Sequence, residues 1–353
     1  MELNPRLLAR ASRLGGLGLG VAAGLFVVLW IGFIGQSMAF GTAYADPKDF
    51  IIVMLNGITA AGLYFVVASG FTLIFGLMRV VNMAHGSFFL FGGYIALRLQ
   101  RNLVGEGGAF GLSSSQVSVV NWVIPFVVGT LLVGVIGVVM QQILLRWNQG
   151  DDLRQALITI AVSIILADQM LDHFGGIAEG ITWPGRIDHF VNLHVEGVQY
   201  SEERLLILLL ALVIGAALWV WLQKTRTGMV IRAGVDDRAM VSALGINIQR
   251  TFMVAFFVGS ALAGLGGVVG GSFASLAPGV DSNWLLYSLV VVIIGGMGSL
   301  GGAAIGSLLL GLTTNLSAAY LPEAYNYYSI ILTFVLLAVV LAVRPLGIYG
   351  RPA

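Results

Sequence analysis

The sequence predicts an all-α, polytopic membrane helix bundle, and three observations carry that prediction. Apolar residues make up 58% of the 353 positions and charged residues only 10%, against about 25% charged in an ordinary soluble domain. Several windows of about 20 residues hold no charge, which is the length a helix needs to cross roughly 30 Å of hydrocarbon. Runs such as Leu205 to Leu222 are apolar on every face, whereas the strands of a membrane barrel alternate apolar and polar positions. The net charge of +1 excludes a strong electrostatic pull on nucleic acid. The lack of cysteine excludes disulfides, thiolate chemistry and thiolate metal sites.

Taken in order, the hydrophobic windows give candidate spans near 15–40, 50–78, 84–99, 120–145, 155–172, 204–222, 251–271, 284–298, 300–320 and 327–343. The bundle therefore has about eight to ten transmembrane helices, in one transmembrane domain over residues 1–353. The segments near 84–99 and 284–298 are short enough to be half-helices that turn back. Arg6, Arg10 and Arg13 precede the first apolar run, and Ala43-Tyr44-Ala45 has the small-x-small form of a signal-peptidase site. That run exceeds the roughly 7 to 15 residues of a signal h-region, so it reads as an uncleaved span. Ten crossings put both termini on one side with Arg79, Arg146, Arg154, Lys224, Arg226, Arg232, Arg238, Arg250, Arg344 and Arg351. Lys48, Arg98, Arg101, Arg186 and Arg204 fall opposite, and the positive-inside rule makes the richer side cytoplasmic.

Two stretches break the apolar pattern at membrane depth. Asn56 to Tyr94 is interrupted by glycines and by Arg79, Asn82 and His85, and Ser288 to Gly306 carries Gly295, Gly296 and Gly298. Glycine lets helices approach closely or lets backbone depart from helix beside a water-filled path, and paired interruptions in two halves point to a transport route. Candidate path or gate residues are accordingly Asn56, Thr59, Asn82, His85, Gly86, Gly295, Gly296 and Gly298. Most of the 48 glycines serve helix packing alone. Asn82 at a loop-to-helix junction favours a capping role. Asp168 and Asp172, four apart, share a helix face. The outer segment 173–203 holds three of the four histidines in no zinc-like spacing, and suits contact with an extracytoplasmic partner. The two lysines, Lys48 and Lys224, end no phosphate-binding loop. The chain is therefore no ATPase and carries no catalytic signature.

The long polar loop 224–250 alternates apolar residues with charges. Asp236 or Asp237 can cap a short helix there, and Gly245 stands where a C-terminal glycine belongs. Mixed acids and bases favour docking in a protein groove over lying on lipid.

Three blocks, NGITAAGLYFVVASGFTLIFGLMRVVNMAHGSFFLFGGYIA at 56–96, RAGVDDRAMVSALGINIQRTFMVAFFVGSALAGLGGVVGG at 232–271 and VVIIGGMGSLGGAAIGSLLLG at 291–311, resemble the LivH-type permeases of ABC importers. The resemblance covers most of the chain from about residue 50. It implies a type II importer-like permease of a bacterial inner membrane that carries branched-chain or other hydrophobic amino acids by alternating access. It assigns coupling to an ATPase to Asp236, Asp237, Arg238, Ala243, Leu244 and Gly245. It further implies a LivM-like second permease, two ATPase subunits that hold the ATP and magnesium, and a periplasmic solute-binding protein, with no cofactor on this chain. Permeation of urea or short amides is the alternative within the family. A proton-coupled secondary transporter using His85 and Asp168 is the alternative outside it. The amino-terminal extension through Asp46 and the segment Gly176 to Glu203 depart from the family pattern. The intact mass of the purified chain is expected to include residues 1–45; a mass short by that segment would show cleavage after Ala45.

Overall fold

The computed structural model describes residues 47–104, 119–184, 189–192, 198–321 and 328–350. The expected first span at 15–40 lies outside them. Helix α1 (Pro47–Met78) is followed by α2 (His85–Val104), α3 (Val119–Met140), α4 (Asp152–Phe174), α5 (Glu202–Lys224), α6 (Arg226–Asp236), α7 (Arg238–Ala243), α8 (Ile248–Phe273), α9 (Val280–Gly295), α10 (Leu300–Tyr320) and α11 (Ser329–Val343). A π-turn at Gln141–Leu145 and a 3₁₀ turn at Arg146–Asn148 extend α3. The only strands among the described residues form a small antiparallel hairpin, β1 (Phe190–Asn192) with β2 (Gln199–Ser201), in register Val191 to Tyr200. Six of the helical segments are long and apolar enough to cross a membrane, and α9 and α11 are shorter apolar helices. This is a polytopic membrane protein.

Lipid tails are as apolar as leucine, so helices in a bilayer associate through close packing and not through hydrophobic burial. Glycine supplies that closeness along α8, where 72% of the central window is buried, against 11% for α4 on the periphery. A side chain at Gly70 of α1 would strike the Gly259 carbonyl of α8, and one at Gly259 would lie 2.7 Å from the Gly70 carbonyl. On another face, a Cβ at Gly92 of α2 would sit 2.5 Å from the Gly264 Cα, and one at Gly267 would strike the Phe89 carbonyl. On a third, Gly134 of α3 faces Phe257 and Gly137 faces Ser260. Helix α8 is thus the spine that α1, α2 and α3 share.

The glycines of α1 do not interrupt it, contrary to the expectation for 56–94. It runs unbroken through Gly57, Gly62, Gly70 and Gly76, and the break comes after them. Arg79 adopts a left-handed backbone (φ 57°), and its amide bonds back to the Phe75 carbonyl at 2.7 Å, a helix-ending turn of the kind glycine usually makes. The chain then turns back into the bundle over 79–84 and starts α2 at His85. The His85 ring donates from Nε2 to the Val67 carbonyl at 3.0 Å. Val67 precedes Met78 by eleven positions, about 16 Å of helix, so α2 opens well inside the bundle. Helix α9 opens at the same depth, because Asp281 and Leu285 lie against Gly86 and Trp284 stacks on Phe89 with centroids 4.1 Å apart. The first turns of α2 and α9 therefore pack against each other inside the bundle; α9 is short at 16 residues, whereas α2 runs for 20, longer than the half-helix expected at 84–99.

Gly267→Ala is expected to cost about 1–3 kcal/mol through overpacking against Phe89 and to lower the Tm of the detergent-purified protein. Gly301→Ala, a helical position with nothing within 4 Å, is expected to leave it unchanged or slightly raised.

Candidate functional site

The polar groups inside the bundle gather at three places. The first is the meeting point of α2 and α9. Asn82 folds its side chain forward to accept the Ala84 amide at 3.1 Å, and its own carbonyl accepts the His85 amide at 3.1 Å. It therefore forms a side-chain turn that leads into α2, whose N-cap position is Ala84, and not the helix cap expected of it. His85 is wholly buried, edge-on to Phe71 at 5.3 Å, with Nδ1 unpartnered, as is the Asn82 amide nitrogen. A side chain at Gly86 would strike the Asp281 carbonyl. Next to it, the Ser87 hydroxyl lies 2.7 Å from that of Ser163 and donates to Asp281 Oδ2 at 3.1 Å.

Asp281, only 6% exposed, is the residue that sequence reading overlooked. Its carboxylate sits in the first turn of α9, where the helix dipole favours negative charge. The signal was present: Asp281 is the lone acid between Asp237 and Glu323. Asp168 and Asp172, by contrast, are exposed and line no interior wall of this chain. Asp168 thus shares no site with buried His85.

The second place is a recess of about 190 Å³ between α1, the end of α8 and the start of α9. Leu63, Tyr64, Phe273, Asn283, Trp284 and Tyr287 form most of its wall. The Tyr64 ring lies 5.4 Å from Trp284 and 5.1 Å from Tyr287. One turn along α1 are Asn56 and Thr59. Thr59 shares a 2.9 Å hydrogen bond with the Tyr200 hydroxyl of β2, and Asn56 accepts from the Arg204 guanidinium of α5. Burial pushes the Tyr200 phenol up, and the Thr59 bond and the Arg204 charge offset part of that shift.

The third place is the opposite end, where most of the arginines lie. A Cβ at Gly295 would strike the backbone of Gly302, and one at Gly296 (φ 99°) the backbone of Gly350. Gly298 (φ 80°) lies against Gly76. The amides of Ile348 and Tyr349 bond to the carbonyls of Ile294 and Gly295 at 2.8 and 2.9 Å. These three glycines sit in a backbone clasp around the α9–α10 turn.

The polar loop folds as two helices where one was expected. Thr225 caps α6 through the Gly228 amide at 3.1 Å, and Asp237 caps α7 through the Met240 amide at 3.0 Å. Asp236 is the last residue of α6, so the capping role falls to Asp237 alone. Leu244 closes α7, and Gly245 follows in the left-handed region (φ 79°). Helix α6 is anchored by buried Ile231 and by Gly234, where a Cβ would lie 2.8 Å from the Leu77 side chain. Helix α7 leaves Asp237, Ala243, Met240 and Leu244 exposed, the last two at 63% and 70%. Arg238 opens it.

Asp237→Ala is expected to cost α7 about 1 kcal/mol of capping, read as faster hydrogen exchange over 238–243. Asp236→Ala is expected to leave that exchange unchanged.

A family model described as branched-chain amino acid transport system / permease component matches residues 53–340. The high-affinity branched-chain amino acid transport system permease protein LivH of Escherichia coli (strain K12) is 29% identical over 86% of this chain and 96% of its own. The corresponding protein BraD of Pseudomonas aeruginosa is 28% identical over 85% and 95%. The ribose import permease protein RbsC of Haemophilus influenzae is 25% identical over 92% and 95%. No solved structure gives a significant match. With its glycine-packed bundle and exposed capped arm, this chain belongs to the family of branched-chain amino acid transport system permease components.

Proposed function

We propose that this chain is the non-catalytic permease subunit of an ABC importer in a bacterial inner membrane, carrying branched-chain or other hydrophobic amino acids by alternating access. Both termini and the α6–α7 arm face the cytoplasm, where the positive-inside rule puts the arginine-rich end. A second, LivM-like permease completes the pathway, and two ATPase subunits hold the ATP and magnesium. A periplasmic binding protein delivers the solute to the opposite end, near the β1–β2 hairpin and the outer segment.

The observation that supports this reading best is the position of Val235. It lies on the arm, and its methyls are 3.6 Å from a Cβ built at Gly76 and 3.5 Å from one at Gly298. A push on α7 thus reaches the end of α1 and the α9–α10 turn together. Exposed Met240 and Leu244 give α7 an apolar face for a groove in an ATPase. Closure of the ATPases then rocks α1 against the α9–α10 hairpin, and the helix starts meeting at Gly86 and Asp281 alternate access. Asn82, His85 and Gly86 hold the moving joint. Gly295, Gly296 and Gly298 are its hinge, and Asn56 and Thr59 stand at the solute's entry.

Gly245→Val places a β-branched residue at φ 79°, a conformation such residues avoid. In proteoliposomes with the partner subunits and binding protein, it is expected to cut amino-acid uptake at least ten-fold while membrane insertion and ATP hydrolysis persist. Gly150→Val, also at positive φ (98°) with nothing near it but off the arm, is expected to keep uptake. Equal uptake by wild type and Gly245→Val would refute the coupling role.

A further inference from the structure

The recess between α1, α8 and α9 has an apolar aromatic wall and a cation beside it. Arg204 lies with Cζ 5.6 Å over the Phe273 ring and 6.0 Å over the Tyr200 ring. Phe273 is also a wall of the recess. The guanidinium donates one N–H to the Asn56 amide oxygen, and Asn56 is one turn along α1 from Ala60, another wall residue. Rings below and an amide beside it thus fix the guanidinium next to Phe273, one wall residue away from the recess.

Asn56 is a neutral partner, and among the described residues Arg204 makes no ion pair. A guanidinium has five donors in a planar fork that matches a carboxylate in two parallel bonds. Stacking on rings restricts its rotamers, so little further order is lost on binding. A ligand bearing only positive charge would be repelled by Arg204, although an aromatic recess otherwise welcomes cations. The volume of about 190 Å³ falls below the roughly 300–1,000 Å³ of drug-sized pockets. It admits one short apolar side chain and excludes a peptide.

We propose that this recess is a solute site on the permease itself, in which Arg204 takes the carboxylate of an α-amino acid and the apolar side chain enters between Tyr64, Trp284 and Phe273. The assignment rests on the importer reading and adds a specificity-determining residue to it. Arg204 is three positions beyond β2, and Tyr200 ties that strand to Thr59. The hairpin that faces the delivering partner is thereby continuous with the group that receives the solute.

The test compares L-leucine with L-leucinamide, the same side chain without the carboxylate, on the full chain with its partner subunits in lipid nanodiscs. Binding is read as the change in Trp284 emission, taken as the difference from Trp284→Phe. Leucine is expected to bind at least ten-fold tighter than leucinamide. Arg204→Gln should reduce that preference to less than two-fold, and Arg204→Lys, which keeps the charge but not the planar fork, should give an intermediate preference. Loss of affinity for both ligands alike would assign Arg204 a structural role and overturn the proposal. So would an unchanged preference in Arg204→Gln, or a wild-type complex that takes up leucine with no response at Trp284. Failure of the complex to take up any amino acid, with the preference intact, would refute the importer reading while supporting the site.

Discussion

The constraint on which this structure depends is the backbone-to-backbone approach of α1, α2 and α3 to α8. Helices in lipid gain nothing from excluding water, so their association rests on the short-range contacts that only small residues permit. Gly70 with Gly259, Gly92 with Gly264, and Gly267 with the Phe89 carbonyl bring the chains closer than any side chain would allow. The large buried residues Phe71, Phe88, Phe89, Tyr94 and Phe256 fill the space on either side of these crossings. The spine thereby positions everything else.

Because the spine is rigid, the chain can have a break within it. The return of 79–84 into the bundle takes backbone polar groups out of a helical ladder, which at membrane depth is tolerated only inside protein. The structure supplies partners one by one. Asn82 accepts the Ala84 amide, Thr159 accepts the Met83 amide at 3.2 Å, and His85 bonds to the Val67 carbonyl. Ser87 joins Ser163 to Asp281 across three helices. The starts of α2 and α9 thus meet in a defined polar junction that links three helices.

The two ends of the bundle are specialised in opposite ways. At the arginine-rich end, the capped α6–α7 arm is anchored by Ile231 and Gly234 and offers Met240 and Leu244 outward. At the other end, a segment around Trp183 is clamped over the helices. Glu179 and Leu276 exchange backbone bonds at 2.9 and 2.6 Å, Gln100 and Thr182 exchange two more, and Trp183 stacks on Trp122. The recess beside Arg204 lies at that end, so in the mechanism we propose solute entry and the driving contact are separated by the length of α1. Val235, packed between Gly76 and Gly298, is the contact through which that mechanism transmits the drive.

The fold class, the helix order, the short span near 284–298 and the capped loop were all legible in the sequence, because hydrophobic length, charge asymmetry and capping residues act locally. Gly245 as a helix-ending glycine followed from position alone, whereas Asn82 turns the chain into α2 two residues before its cap. Which glycines break a helix and which pack one was not legible: Gly62 and Gly70 continue α1, whereas Arg79 ends it. Nor could sequence divide the capping role between Asp236 and Asp237. Asp281, Ser163 and Arg204 acquire their roles from residues between 76 and 194 positions away. Sequence determined what must be buried in lipid and where helices begin. Only the tertiary structure decided which polar groups meet inside, because each depends on partners that the chain brings together only when packed around α8.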